Sequence, residues 1–477
     1  MADIFNPPPL VVDLDGTLIR SDLLFQTLCT HTKHNVLGLF DAFFWLANGK
    51  TNLKAQLAKN VTIDVALLPY NDEVLEVIKS EQSQRPVILA TASHRIYAEQ
   101  IALYLGLFDR VIATEGEVNL SATTKRDVLV SEFGVQGFDY IGNSHDDLTV
   151  WKASRKAYLV NTGKYVESRA RAQGNVEKII SCKPSSIRPL IKAVRMHQWL
   201  KNLLIFIPLL AAHQFHNPSL LLMVVSAFLF FGFCASSVYL LNDLLDMEDD
   251  RHHPTKRYRP FASGTLSVKS GIVTAFFLLV TAFSGAYLFL PWQFTATLAG
   301  YYLLTLGYSL FLKRLMAADI IALAILYTLR IVAGSFACSL VPTFWILAFS
   351  MFLFLSLALV KRYAELHDQR MKGKSDKTSG RGYFPSDLEM ISSLGASSGY
   401  LSVMVLALYI QDKTTITLYR NPEIIWIAVP LLLFWISRTW MLTHRGQMHE
   451  DPVLFAIKDR VSLIVGVLFA SIFILAM

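Results

Sequence analysis

Residues Asn242 to Gly264 read NDLLDMEDDRHHPTKRYRPFASG, and the rest of the chain is read outward from them. The stretch begins at the end of an apolar run, Leu220–Leu241, long enough to cross a bilayer as a helix. Asp243, Asp246 and Asp250 stand at i, i+3 and i+7, so a helix continuing out of that run puts all three on one face. Carboxylates that close repel one another unless a cation lies between them. Oxygen ligands with no neighbouring Cys suit Mg2+, which keeps waters and is commonly completed by phosphate oxygens. Arg251, Lys256, Arg257 and Arg259 come next and can grip outer phosphate oxygens. An ordinary charged loop is the plain alternative, but it gives no reason to space carboxylates by helical turns. The stretch therefore predicts a diphosphate-binding site at the mouth of a membrane helix.

The chain has 477 residues, 53% of them hydrophobic and 17% charged. That balance is too apolar for an ordinary soluble protein and predicts a polytopic membrane protein. Residues 1–185 nevertheless read as soluble, so the apolar excess belongs to residues 186–477. The net charge of +7 fits cytoplasmic loops and gives no reason to expect nucleic-acid binding. Cys29, Cys182, Cys234 and Cys338 lack metal-ligand spacing and are expected as free thiols. The opening MADIFNPPPLVVDLDG has neither a basic start nor a long apolar core, so a signal peptide is not expected.

In the soluble part, the short apolar run Leu10–Leu14 carries Asp13 and leads to Asp15-Gly16-Thr17. A buried strand that delivers two acids and a Gly-Thr at its carboxyl end suits an open α/β active site. A second strand is expected at Pro86–Ala90, ending in Thr91-Ala-Ser93, and a third at Tyr140–Ile141, running into Gly142-Asn-Ser-His-Asp-Asp147. Lys125 opens a helical segment between them. Strands alternating with helices predict a doubly wound parallel sheet. Residues 22–80 are too long for a simple crossover and show helical apolar periodicity, so a helical cap is expected there. Its Phe40–Trp45 cluster, FDAFFW, is read as cap core, with a lipid-contacting face as the alternative. The expected division is 1–180 for the soluble domain, 181–195 for a linker within the polar stretch 174–190, and 196–477 for an all-α polytopic membrane bundle.

About nine spans are expected by length and apolarity, near 199–215, 219–243, 271–290, 292–312, 317–338, 342–361, 394–411, 423–441 and 461–477. Lys and Arg gather before the first span and after the second, fourth, sixth and eighth, while the alternate loops hold few. The positive-inside rule then predicts an inner (plasma) membrane protein with a cytoplasmic N-terminal domain. Arg330 falls inside the fifth expected span, where a charge is costly unless paired or solvated. It is read as a site residue, with a helix-fixing ion pair as the alternative. Lys361, Arg362 and Glu365, then Arg381 and Tyr383, lie on the cytoplasmic side; Lys361, Arg381 and Tyr383 are taken as phosphate ligands, and others of the group as surface charges. Asp451 and Asp459 precede the last span, and a site role for them stays open.

Asn242, Asp243, Asp246 and Asp250 match NDxxDxxxD, and from about Ser186 onward the chain resembles the UbiA superfamily of intramembrane prenyltransferases. The continuation HPTKRYRPFASG resembles its branch that transfers phosphoribosyl groups to polyprenyl phosphate. The resemblance implies a nine-helix bundle and a Mg2+ site at Asp243, Asp246 and Asp250. It also implies phosphate contacts from Asn242, Lys256, Arg257 and Arg259. Arg195-Met-His-Gln-Trp-Leu-Lys201-Asn202 resembles the family's opening RxxQWxKN, which places Lys201 and Asn202 at the cavity edge. A second acidic motif after the fourth span is reduced here to Asp319, in KRLMAADIIAL, as a further metal ligand.

Asp13–Thr17, Thr91, Lys125 and GNSHDD resemble, in order, the four motifs of the haloacid dehalogenase superfamily of phosphatases. That resemblance makes Asp13 the nucleophile and Asp15 the general acid and base. Thr91 and Lys125 become phosphoryl ligands, and Asp13, Asp15 and Asp147 the Mg2+ site. Asn143 stands where the family has an Asp. Together the two resemblances imply transfer of a 5-phosphoribosyl group from phosphoribosyl diphosphate to a polyprenyl (decaprenyl) phosphate, with removal of the 5-phosphate as the second step. Prenyl transfer from a prenyl diphosphate to an aromatic acceptor is the second reading, and a non-catalytic membrane scaffold or transporter the third.

Overall fold

The computed structural model describes residues 7–35, 37–116, 118–181, 187–373, 381–412, 418–448 and 451–477. They form two compact units. One holds the chain up to Val194 together with Tyr239–Ala275, and the other holds Arg195–Val238 with Phe276–Met477.

The first unit is built on a parallel sheet of six strands: β1 (Leu10–Val12), β2 (Val87–His94), β3 (Arg110–Thr114), β4 (Asp139–Gly142), β5 (Ala157–Val160) and β6 (Val176–Ile180). Their order is β3-β2-β1-β4-β5-β6. Leu10 pairs with Val87 on one side and Asp139 on the other, so β1 is central. Helices on both faces explain why its LVV is continuously apolar rather than alternating. The helices are α1 (Leu23–His34), α2 (Gly38–Ala47), α3 (Lys50–Asn60), α4 (Asp72–Gln82), α5 (Arg95–Leu105), α6 (Ala122–Phe133), α7 (Leu148–Ala153) and α8 (Lys164–Arg171). Val74 and Ile78 of α4 and Ala98 and Ile101 of α5 pack with Leu10, Val12 and Leu89. Leu129, Val150 and Trp151 pack with Val11, Ile88 and Ala90. The strand order reverses between β1 and β4, and the carboxyl ends at such a switch point are where α/β sheets bind ligands.

Helices α1 to α3 make a small separate core of Ala42, Leu53, Leu57 and Val61 with Leu24, Leu28 and Trp45. Asp22 starts α1 by accepting from the Leu24 and Phe25 amides at 3.0 and 3.3 Å. The polar stretch 174–190 is not all linker, because Val176–Ile180 pairs with β5 as the edge strand β6.

After α9 (Arg188–Val194), a long 3-10 segment, Met196–Phe206, leads into α10 (Ile207–Ala211). Then come α11 (Pro218–Leu245), α12 (Met247–His252), α13 (Val268–Phe289), α14 (Trp292–Leu310), α15 (Ala318–Ala337), α16 (Phe344–Met371), α17 (Leu388–Ile410), α18 (Ala428–His444), α19 (Pro452–Lys458) and α20 (Arg460–Ala476). Among the described residues six helices are long and apolar enough to cross a membrane, or seven if α19 and α20, bent by 84°, form one span. This corrects the expected nine. The segment 199–215 is not one helix but the 3-10 run and then the five-residue α10. The segment 292–312 is the 19-residue α14, whose Gln293, Thr297, Tyr301 and Thr305 leave it less apolar than the six. In the second unit, helices approach closely through small residues. The Trp440 indole donates to Ser356 Oγ at 3.0 Å, and that hydroxyl donates to the Gly395 carbonyl at 2.7 Å. The described cysteines Cys29, Cys234 and Cys338 are free thiols, and Cys182 lies outside the described residues.

The sheet is locked at its amino-terminal edge by a buried ion cluster. Asp139 accepts from Arg155 at 2.9 and 2.8 Å and from the Arg85 guanidinium. Burial alone would raise the Asp139 carboxyl, but these bonds outweigh it and hold the group below its ordinary value. A depressed carboxylate adds stability above its unfolded pKa, about 3.9, and loses it as pH falls through the folded value. Asp139→Asn should therefore cost the first unit about 3–5 kcal/mol at pH 7. Urea titration of the full chain, with amide exchange read in β1 and β4, should show that gap closing below about pH 4. A gap that persists unchanged in acid would remove the ion cluster from the account.

Candidate functional site

The carboxyl ends of β1, β2 and β4 bring together residues far apart in sequence. Asp13 comes directly after β1, and Gly16 turns the chain with φ +76, where a Cβ would overlap the Asn143 amide. Lys125 reaches in from α6 and donates to Asp13 Oδ1 at 2.7 Å and to the Tyr140 hydroxyl at 3.0 Å. Tyr140 in turn donates to Asp147 Oδ1 at 2.7 Å. The other Asp147 oxygen accepts from the Asn143 and Ser144 amides at 3.0 and 2.9 Å and from the Ser144 hydroxyl at 2.9 Å. Asp15 Oδ1 accepts from the Leu23 amide at 2.8 Å, while its Oδ2 accepts from Ser93 Oγ at 2.6 Å and Thr91 Oγ1 at 3.5 Å.

This crowding sets the electrostatics. Burial, with Asp147 and Asp15 nearby, pushes the Asp13 carboxyl up to about 7 against the pull of Lys125. Burial and the Asp22 charge push Asp15 up to about 6, a value suited to giving and taking a proton near neutrality. Burial disfavours the Lys125 charge, but Asp13 and Asp147 outweigh it and hold the ammonium above its ordinary value. Buried acids raised by one another and hard oxygen donors are the chemistry that fits Mg2+. Three contributors carry no motif signal: Ser93, Tyr140 and Lys54. Lys54 comes from the cap helix α3 and donates to the Ala92 carbonyl at 2.6 Å and Asn119 Oδ1 at 2.7 Å.

The aspartate-rich stretch belongs to the same unit. Its helix is interrupted only at Asp246, with φ −91 and ψ 7. The Asp246 and Asp250 amides still donate to Asn242 and Asp246 carbonyls at 2.9 and 2.8 Å, so the acids stay on successive turns. Arg259 Nη1 donates to Asp243 Oδ1 at 3.1 Å and to Asp250 Oδ2 at 2.8 Å. Asp246 meets Lys33 Nζ, of the cap helix α1, at 3.1 Å. Burial raises the Asp250 carboxyl, with Arg259 opposing. The Asn242 Oδ1 and Arg251 Nη2 atoms are buried with no hydrogen-bond partner among the described residues, as expected where a ligand completes the bonding. Arg251 Nε is tied to the Ala262 carbonyl at 3.0 Å, and burial lowers its guanidinium to about 10. Lys256 and Arg257 lie on an exposed 3-10 turn, where Arg257 donates to the Tyr258 hydroxyl at 2.8 Å. Carboxylate oxygens are the donors that suit Mg2+, and Asp243, Asp246 and Asp250 are each met here by a cation, Arg259 or Lys33.

In the second unit, Arg330 is buried and donates to Asn202 Oδ1 at 3.0 Å, to Tyr301 Oη at 3.2 Å and to the Leu326 carbonyl. Its guanidinium lies 5.4 Å from the Phe231 ring centroid, 5.0 Å from that of Tyr301 and 5.4 Å from that of Tyr327. Lys201 donates to Asp451 at 2.7 Å, Tyr327 approaches the same carboxylate at 3.3 Å, and Lys361 stands 3.7 Å from it. Asp319 is fully buried and accepts from Arg362 at 2.5 Å and Tyr383 at 2.6 Å. Arg381 donates to the Tyr308 hydroxyl at 2.9 Å. Asp459 accepts from Arg438 at 2.7 Å and from the Ser462 amide at 2.8 Å, a helix cap at the start of α20. Among the described residues no three His, Cys, Asp or Glu side chains converge as a ready metal-ligand set. Arg362, grouped by the sequence with Lys361 and Glu365 at the cytoplasmic side, is instead buried against Asp319 and Glu365. The sequence does not single out Tyr327, since one Tyr among many carries no spacing signal.

The Asn202–Arg330 contact depends on one glycine. A Cβ on Gly334, one turn after Arg330, would overlap the Ile205 carbonyl. Gly334→Ala should destabilise the full chain in detergent by about 1–3 kcal/mol, as overpacking does. A thermal unfolding midpoint equal to the parent's would contradict that close approach.

Residues 203–472 match the model of the UbiA prenyltransferase family. A Sinorhizobium fredii protein named Uncharacterized protein y4nM is 36% identical over 98% of this chain and 91% of its own length. The Decaprenyl-phosphate phosphoribosyltransferase of Mycobacterium tuberculosis is 30% identical over 60% of this chain and 93% of its own length. A phosphoserine phosphatase in apo form aligns over 36% of this chain and 92% of its own, with 14% identity and a TM-score of 0.28. The meeting of the motif residues at the strand ends, rather than that score, carries the first unit's resemblance to haloacid dehalogenase phosphatases. The chain belongs to the UbiA prenyltransferase family.

Proposed function

We propose that this protein transfers a 5-phosphoribosyl group from phosphoribosyl diphosphate to a polyprenyl phosphate, and that its first unit then hydrolyses the 5-phosphate from the lipid product. The observation that carries the reading is the sharing of Arg259 by Asp243 and Asp250, which joins acids and a base at one point. Similarity to the mycobacterial Decaprenyl-phosphate phosphoribosyltransferase supports a phosphoribosyl group as cargo and a polyprenyl phosphate as acceptor. Asp243, Asp246 and Asp250 would hold Mg2+, which would supply charge neutralisation for a diphosphate. Asn242, Lys256, Arg257 and Arg259 bind its outer oxygens. On the same reading Lys201, Asn202, Arg330, Lys361, Arg381 and Tyr383 hold the remaining phosphates. An oxygen of the polyprenyl phosphate bonds to ribose C1 as the C1–O bond to diphosphate breaks, and diphosphate leaves with the electron pair. The protein works chiefly by positioning and by stabilising that leaving charge.

In the first unit, Asp13 attacks phosphorus and Asp15 gives its proton to the departing ribose 5-oxygen. Water then attacks the aspartyl phosphate, Asp15 takes back a proton, and inorganic phosphate leaves. Thr91 and Lys125 hold the phosphoryl oxygens. Asp13, Asp15 and Asp147, with the Asn143 amide in place of a carboxylate, would hold Mg2+, which would neutralise phosphoryl charge. One polypeptide keeps the lipid product close to the second site. Both reactions belong on the cytoplasmic side of an inner membrane, in keeping with the distribution of Lys and Arg.

The purified full chain with Mg2+, labelled phosphoribosyl diphosphate and decaprenyl phosphate should yield labelled lipid. Labelled prenyl diphosphate with an aromatic acceptor should yield none, and the opposite result would establish prenyl transfer instead. Asp243→Asn should lower transfer by roughly 100-fold or more. Asp13→Asn should leave transfer intact while the lipid retains its 5-phosphate. Asp15→Asn should slow phosphate release roughly 10²–10⁴-fold, more for an alkyl phosphate than for p-nitrophenyl phosphate, whose leaving group needs no proton. Equal losses on the two substrates would deny Asp15 its role as acid.

A further inference from the structure

Helix α2, Gly38–Ala47 (GLFDAFFWLA), reverses the usual sidedness of a cap helix. Its buried positions, Gly38 and Ala42, are small, and Gly38 lies against the His31 ring. Asp41, at the border of the two faces, is partly exposed and accepts from Asn35 at 2.8 Å. Trp45 packs inward too, its ring 5.0 Å from that of His31. The outward face is apolar throughout. Phe40, Phe43 and Phe44 are 65%, 69% and 65% exposed, and Leu37, Leu39 and Leu46 are exposed beside them. A contiguous patch of that kind is rare on a surface that meets only water.

The contacts that hold the cap in place indicate the occupant. In the preceding helix, Thr30 donates to Glu248 at 3.0 Å, and Lys33 pairs with Asp249 at 2.6 Å and Asp246 at 3.1 Å. These acids begin one residue past Leu245, where the membrane-length apolar helix α11 ends. His252 and Asp64 add a 4.0 Å contact, and Gly264 sits so close to Arg20 and Pro69 that a Cβ would crowd both. The cap is thus fastened to the stretch that carries the polar end of α11, and both lie in one compact unit, Tyr239–Ala275 with the chain up to Val194. Gly38 lies five positions after Lys33, a reach of at most about 18 Å. That keeps α2 at the depth of the headgroups, into which interfacial helices sink by roughly 5–10 Å. His34 and Lys50 are exposed on either side of α2, where they suit anionic headgroups.

We propose that α2 is an interfacial membrane anchor, with Phe40, Phe43 and Phe44 seated among the acyl chains of the lipid leaflet next to the polar end of α11. The anchor holds the Asp13–Asp15 site against the bilayer surface, so the phosphate it meets is one presented by a lipid. It does not depend on which group the membrane unit transfers.

Site-directed spin labelling tests this in the full chain, reconstituted in phosphatidylethanolamine and phosphatidylglycerol vesicles. With Cys29, Cys182, Cys234 and Cys338 replaced by Ala, a label on Phe43→Cys should collide with oxygen in preference to a water-soluble nickel chelate. The oxygen-to-nickel ratio there should exceed that at Glu73→Cys, on the exposed side of α4, several-fold. Equal ratios at the two sites would overturn the proposal. So would dipolar broadening at position 43 that persists as lipid is added, which would mean that a second copy of the chain covers the face. A photoreactive phenylalanine analogue at position 43 of the otherwise native chain gives a second reading. Adducts with lipid support the anchor, and adducts with protein alone reject it.

Discussion

Carboxylates at the end of a membrane helix cannot stand together without positive charge, and this constraint organises much of the first unit. Asp243 and Asp250 are both largely buried and share one Arg259 nitrogen, while Asp246 is met by Lys33. The cost of burying such acids falls steeply when each has a cation and hydrogen bonds. Arg259 arrives from nine residues downstream of Asp250, which bends the stretch back on itself through the Lys256–Tyr258 turn. Lys33 arrives from the cap helix α1. The same acids that suit a metal thus also fix where the cap lies.

The Asp13 site repeats the arrangement in soluble form. Its acids are buried at strand ends, Lys125 offsets them, and the surplus repulsion shows as carboxyls raised to about 7 and about 6. Both sites are tuned by burial first and by charge partners second. That is the physical setting in which a divalent cation and a phosphate bind together, each offsetting the other.

Much of this is legible in the sequence because it is local. The NDxxDxxxD spacing, the apolar run before it and the Asp13-Leu-Asp15-Gly16-Thr17 turn each depend on residues within one or two turns. The strands β1, β2 and β4 are visible as apolar runs delivering polar residues. By contrast β3, β5 and β6 are not. They are four or five residues long, and β3 and β6 carry exposed positions such as Arg110, Glu177 and Lys178 that disguise them. The span count fails for a related reason. Window apolarity does not distinguish a continuous helix from the 3-10 run Met196–Phe206 joined to α10. Lys33, Lys54 and Tyr140 escape because their roles come from tertiary approach, and Lys33 lies more than two hundred positions from Asp249. The FDAFFW cluster reads as cap core, yet only Ala42 and Trp45 of it turn inward. Periodicity gives an apolar face but not the medium that face meets.

The claim most of this rests on is that Asp243 and Asp250 hold a divalent cation once phosphate arrives. Electron paramagnetic resonance with Mn2+ in place of Mg2+ counts bound ions directly on the full chain with phosphoribosyl diphosphate. The Asp243→Asn/Asp250→Asn double variant should lose the ion of the membrane site and keep the one that Asp13→Asn removes. Mn2+ occupancy identical in the double variant and the parent would contradict the account at its centre.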